Sequence, residues 1–109
     1  MAYDEGLAEL MRGDLGERAG ISERRMFGGL AFMLYGNMVC GVTSHGAMYR
    51  VGKDREAEAM RVPGTGPMEF TGKPMGGMVA ADEEVMADDD RRASLMRLAL
   101  DHAESLPAK

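Results

Sequence analysis

The sequence predicts an α+β fold: two layers, an antiparallel sheet with helices on one face, in the order α-β-β-β-α-β-β-α. Three observations predict it. Apolar residues recur at helical spacing near both ends of the chain, at Leu7, Leu10, Met11 and Leu15 and again at Leu95, Met96, Leu98, Ala99, Ala103 and Leu106. Between them, short apolar runs are cut by glycine-containing turns, as in "GGLAFMLYGNMVCGVTSHGAMYRV". The 109 residues suit one domain with one modest core, expected to span 1–109, and a single sheet covered on one side is the economical way to build it.

The first segment reads as a helix with Asp4 as its N-cap, Glu5 at its positive end and Gly20 as its stop. Three strands are expected near 24–35, 38–43 and 47–52. Gly36-Asn37 reads as a two-residue hairpin turn and Ser44-His45-Gly46 as a three-residue one. "KDREAEAM" reads as a short helix and "RVPGTGP" as a loop. "MEFT" and "MGGMVAA" read as strands joined by Gly72-Lys73-Pro74. The last helix is capped within Asp88-Asp89-Asp90 and stopped by Pro107.

Those turns imply a register. Tyr35 is set opposite Met38, Met33 opposite Cys40, Thr43 opposite Ala47 and Cys40 opposite Arg50. Directly opposed residues share a face. One face then carries Leu30, Phe32, Leu34, Val39, Tyr49 and Val51, branched and aromatic, and is assigned to the helix-covered core. The other carries Ala31, Met33, Tyr35, Met38, Cys40, Val42, Met48 and Arg50. It is unusually apolar for an outer face. Met33, Tyr35, Met38, Cys40, Val42, Met48 and Arg50 therefore form the candidate interaction face, for a protein partner or a second copy. Methionine repacks easily against a partner. The plainer alternative is that loops or the second strand pair cover this face.

Bulk properties narrow the function classes. The net charge is -5, which opposes nonspecific attraction to nucleic acid or an anionic membrane. The one cysteine, Cys40, permits no internal disulfide and suits a reducing compartment. "MAYDEGLAEL" has early acids and no apolar core of a signal peptide, and no apolar run approaches the ~20 residues of a membrane span. A cytoplasmic protein is expected.

No catalytic constellation stands out. Cys40 as a nucleophile or redox centre needs a base and a lowered pKa, yet neither His45 nor His102 forms a motif with it. Such a cysteine reads first as a small apolar residue. One cysteine and two separated histidines make no zinc spacing, and Met75-x-x-Met78 lacks the methionine or histidine tract of a copper site. Gly64-Thr65-Gly66 lacks a third dinucleotide-fold glycine, and Gly72-Lys73-Pro74 is no P-loop. The acidic runs at 82–84 and 88–90 read as a solvated connector and a helix cap. No cofactor or metal is expected. Gly28-Gly29 reads as a bend inside a long strand, with an anion-binding nest beside Arg24 and Arg25 as its functional alternative.

"RRMFGGLAFMLYGNMVCGV", followed by "MYRVG", "FTGKPMGGMV" and "SLPAK", resembles the N-terminal domain of the TfoX/Sxy competence regulators, and more closely their single-domain bacterial relatives. Met26, Phe27, Gly28 and Gly29 are the most specific part of the resemblance. It implies a two-layer α/β fold, a regulator rather than an enzyme, and no catalytic residues; the named members promote transcription of DNA-uptake genes. The longer regulators carry a helical C-terminal domain with no counterpart before Lys109. With the acidic charge, this makes a protein–protein interaction module the leading expectation. Its alternatives are a DNA-associated regulator using Arg24, Arg25, Arg50 and Lys53, and an enzyme or redox protein using Cys40.

Overall fold

The computed structural model describes residues 3–26, 28–70 and 73–109. Helix α1 (Glu5–Leu15) begins where the Asp4 carboxylate accepts the Gly6 and Leu7 N–H groups, at 2.7 and 3.4 Å. It ends at Gly16, whose φ of 63° breaks the helical path before Gly20 is reached.

The stretch expected as one strand over 24–35 is two strands, β1 (Ile21–Met26) and β2 (Gly29–Leu34), paired from Ile21 opposite Leu34 to Met26 opposite Gly29. The glycine pair is thus a reversal, not a bend. Gly28 takes a φ of 72°, and a Cβ on Gly29 would lie 2.0 Å from the Val42 carbonyl oxygen. β1 escapes the alternation rule because it is an edge strand whose Ser22, Glu23, Arg24 and Arg25 are all exposed. Charged residues suit an edge that has no further strand to pair with.

β3 (Asn37–Thr43) and β4 (Gly46–Arg50) follow, then a 3-10 turn (Lys53–Arg55), α2 (Glu56–Ala59), β5 (Thr65–Phe70) and β6 (Lys73–Ala81). The expected connection at Gly72-Lys73-Pro74 lies partly outside the described residues. All neighbouring strands are antiparallel, in the order β1-β2-β3-β4-β6-β5. Asp82, expected in a solvated connector, caps a further helix, α3 (Glu83–Ala87), by accepting the Val85 N–H. Asp88 caps α4 (Asp89–Glu104), as the sequence predicts. The fold class is the one expected and the segments follow in the expected order, with one strand divided into β1 and β2 and with α3 added.

Both central registers differ from expectation, β2–β3 by two residues next to its turn and by one beyond a bulge, β3–β4 by one. The β2–β3 turn is Tyr35-Gly36, which sets Leu34 opposite Asn37. Its φ values of 49° and 84° are both positive, as a type I′ turn requires. Asn37 is buried and donates its side-chain amide to the Pro107 carbonyl at 2.9 Å. Beyond Met33, opposite Met38, a bulge at Val39 sets Phe32 opposite Cys40. The β3–β4 turn has two residues, Ser44-His45, so Cys40 faces Tyr49 and Thr43 faces Gly46.

The core lies between the sheet and all four helices. Leu30, Phe32, Leu34, Val39, Tyr49 and Val51, the six residues assigned to it, are there; Cys40 and Val42 join them. Arg92 locks the helical layer. Its guanidinium donates to Asp14 on α1 at 2.7 and 3.3 Å, to Asp89 at 3.0 Å and to the Met86 carbonyl at 2.8 Å.

Candidate functional site

The slip of register divides the candidate interaction face. Cys40 and Val42 do not belong to it: both are fully buried on the helix-covered side, because the bulge and the shorter turn bring them in line with Phe32 and Ala47. Met33, Met38, Met48 and Arg50 do share the opposite side, with Ala31, Met78 and Ala80 in the same rows. Little of that side is open. Met33 is 8% exposed and Met48 3%, while Met38 and Arg50 are half-buried. Tyr35 lies in the turn, 54% exposed, with its ring against Gly20 and its N–H donating to the Gly20 carbonyl at 2.8 Å.

Cys40 is poorly placed for chemistry. Burial pushes its thiol pKa well above the ordinary thiol range, with the nearby Asp14 charge adding to the rise. A thiolate is the reactive form, so this environment suppresses both nucleophilic and redox roles. Its cross-strand neighbour Tyr49 is equally buried and donates its hydroxyl to the Met86 sulfur at 3.6 Å.

The basic residues named for DNA do not converge. Arg24 and Arg25 are adjacent on β1 and point to opposite sides of the sheet. Arg50 is three strands away on β4, and Lys53 lies beyond it in the 3-10 turn. Of the resemblance motif, Met26 closes β1, Gly28 and Gly29 form the reversal, and Phe27 lies outside the described residues. Among the described residues no three His, Cys, Asp or Glu side chains gather to hold a metal ion. No helix there is long and apolar enough to cross a membrane.

A concavity that the sequence did not announce lies at one end of the sheet, between the start of α1, the β3–β4 turn and α3. It holds about 520 Å³. Leu7, Leu10, Met86 and Ala87 supply apolar walls, while Asp4, His45, Asp82 and Glu83 supply the charged and titratable groups. Ser44 and His45 also line it, in an exposed turn held by the His45 N–H donating to the Thr43 hydroxyl at 3.1 Å. Among the described residues no hydrogen bond joins their side chains to each other or to a carboxylate, so no serine–histidine–acid relay is assembled.

The apolar period read from the sequence counts Leu10 with Leu7, Met11 and Leu15 and does not single it out. Ala8, Met11 and Leu15 form the buried stripe of α1. Leu10 lies about 130° from the centre of that stripe at 3.6 residues per turn. It is 36% exposed, one of the few large apolar side chains so open among the described residues.

The TfoX N-terminal domain model matches residues 14–103, from the last turn of α1 nearly to the end of α4. No curated protein and no solved structure matches the chain. The matched span holds the whole sheet, the reversal at Gly28 and Gly29, and the long helix packed across the core. On that coverage, the chain belongs to the TfoX N-terminal domain family.

Proposed function

We propose that this protein is a non-enzymatic protein–protein interaction module with a regulatory role of the kind TfoX-like proteins play in competence and transcription. The observation that carries the reading is the cleft of about 520 Å³ beside the exposed Leu10, with Leu7, Met86 and Ala87 completing its apolar lining. Exposed apolar surface framed by polar groups is the usual mark of an association site. The burial of Cys40 supports the same reading from the other side, since the strongest nucleophile in the chain is a core atom.

The test replaces the native protein in its source organism by Cys40→Ala and, separately, by Leu10→Ser, and measures captured partners and transcript levels. Cys40→Ala is expected to preserve both, at a melting temperature lowered by a core vacancy. Leu10→Ser, at an exposed site, is expected to keep the fold and lose capture. Loss of the phenotype in Cys40→Ala while the protein stays folded would restore the enzymatic or redox reading. Binding lost in neither variant would move the interaction elsewhere on the surface.

A further inference from the structure

We infer that the cleft between α1, the β3–β4 turn and α3 receives a basic, apolar segment of a partner chain, in which a Lys or Arg lies beside a leucine-like side chain. This rests on the interaction reading and names the chemistry of the partner. The walls come first. Leu7 is half-buried, Leu10 is exposed, and Met86 lies at the base, held by the Tyr49 hydroxyl at 3.6 Å. Such a lining suits an apolar side chain. Its volume is within the range of pockets that hold a ligand the size of a few side chains.

The charge comes second. Three carboxylates line the cleft, those of Asp4, Asp82 and Glu83, and the one cationic-capable group with them is the His45 imidazole. Asp4 and Asp82 accept helix N–H groups at 2.7 and 3.0 Å, so the start of α1 and of α3 offsets part of their charge and fixes their positions. Glu83 caps nothing and is exposed. Among the described residues none of the three is in an ion pair with Lys or Arg. The net charge of -5 adds a field of the same sign. A bare metal ion does not answer to the apolar walls, and an acidic partner would meet like charge. A cationic segment with an apolar neighbour satisfies both. Asp4, Leu7 and Leu10 precede the span matched by the family model, so one wall of the cleft belongs to this chain beyond that span.

The probe is the capped tetrapeptide Lys-Leu-Lys-Leu, with Glu-Leu-Glu-Leu as its counterpart, titrated into the full chain and followed by NMR of the Leu and Met methyl groups and the His45 ring. The basic peptide is expected to shift Leu7, Leu10, Met86 and His45 to saturation, and to bind less tightly as salt is raised. Glu83→Lys is expected to weaken it about tenfold, as reversal of one partly screened charge does. Leu10→Ser is expected to weaken it severalfold. Both sites are exposed, and an unchanged spectrum elsewhere checks the fold. Equal binding of the acidic peptide, shifts confined to another surface, no saturable shift, or affinity unchanged in both variants would each overturn the inference. A partner captured through Leu10 whose binding Lys-Leu-Lys-Leu does not compete would overturn this chemistry alone; absence of any partner would overturn the interaction reading itself.

Discussion

Gly29 carries more structural constraint than any side chain in the turn it closes. Its Cα lies so near β3 that a methyl group would stand 2.0 Å from the Val42 carbonyl oxygen and 3.0 Å from the Thr43 Cα. Both neighbours are backbone, which cannot swing aside as a side chain does. Gly29→Ala is therefore expected to destabilise the protein by about 3 kcal/mol or more, because the β2–β3 ladder must part to admit it. Gly13, in α1, has nothing within 4 Å of the same hypothetical atom. Gly13→Ala is expected to stabilise by about 0.5–1 kcal/mol, through helix propensity and a less flexible unfolded chain. Urea unfolding of the two variants checks both; equal and small effects would mean that β2 and β3 are not in this contact. The double glycine was legible as a site of close approach, but not as a hairpin. What marks a hairpin from sequence is alternation on both sides, and β1 has none because it lies at the sheet edge.

The elements are joined by a few polar contacts that act as fasteners. Arg12 on α1 reaches Glu23 on β1 at 2.6 and 2.8 Å, with its guanidinium 5.7 Å from the Phe32 ring centre. Those hydrogen bonds hold the Glu23 carboxyl below its ordinary pKa of 4.5. On α4, His102 lies against Gly52, where a Cβ would come 2.6 Å from its Nδ1. Burial and the charge of Arg50 hold its imidazole below the ordinary 6.5, and Asp54 opposes them. Arg55 and Asp101, paired at 3.3 Å, line a hollow together with His102. The folded state thus binds the His102 proton less readily than the unfolded chain. The stability contributed by the neutral ring is complete above pH 6.5 and is lost as pH falls through the lower, folded value. The melting temperature is expected to drop between pH 7.5 and 5, and His102→Gln should flatten that slope. The Glu23 contribution disappears in a separate, more acid window, as pH falls below 4.5 through its depressed value. Circular dichroism melts across pH decide it; parallel slopes in the native protein and His102→Gln would remove the histidine from the account. The helices themselves were readable from Asp4, Asp88 and the apolar periods. α3 was not, since a five-residue helix offers too short a period to detect and its cap, Asp82, resembles one acid in a solvated run.

At the scale of the whole molecule, Cys40 reports on the integrity of the fold. It is fully buried where β2, β3 and β4 meet the helices, so a water-soluble thiol reagent reaches it only when the sheet and helical layer separate. Labelling is expected to be negligible in the native state and to follow global unfolding as urea is added, with Gly29→Ala accelerating both together. Rapid labelling without unfolding would place the thiol at the surface and return the face assignment to its mirror. The sequence by itself determined the fold class, the order of the segments it marked, the caps of α1 and α4 and six residues of the core. These depend on periods of 3.6 and 2 residues and on glycine-containing turns, all local properties of a chain. Tertiary structure decided which face Cys40 and Val42 occupy, because a bulge at Val39, and a β3–β4 turn one residue shorter than expected, exchange the two sides of a strand without altering its composition. It also decided the cleft, whose walls come from residues 4–10, 43–46 and 81–87. Segments so distant along the chain become neighbours only when the antiparallel sheet brings the β3–β4 turn and the end of β6 to one end of the sheet beside the capped start of α1.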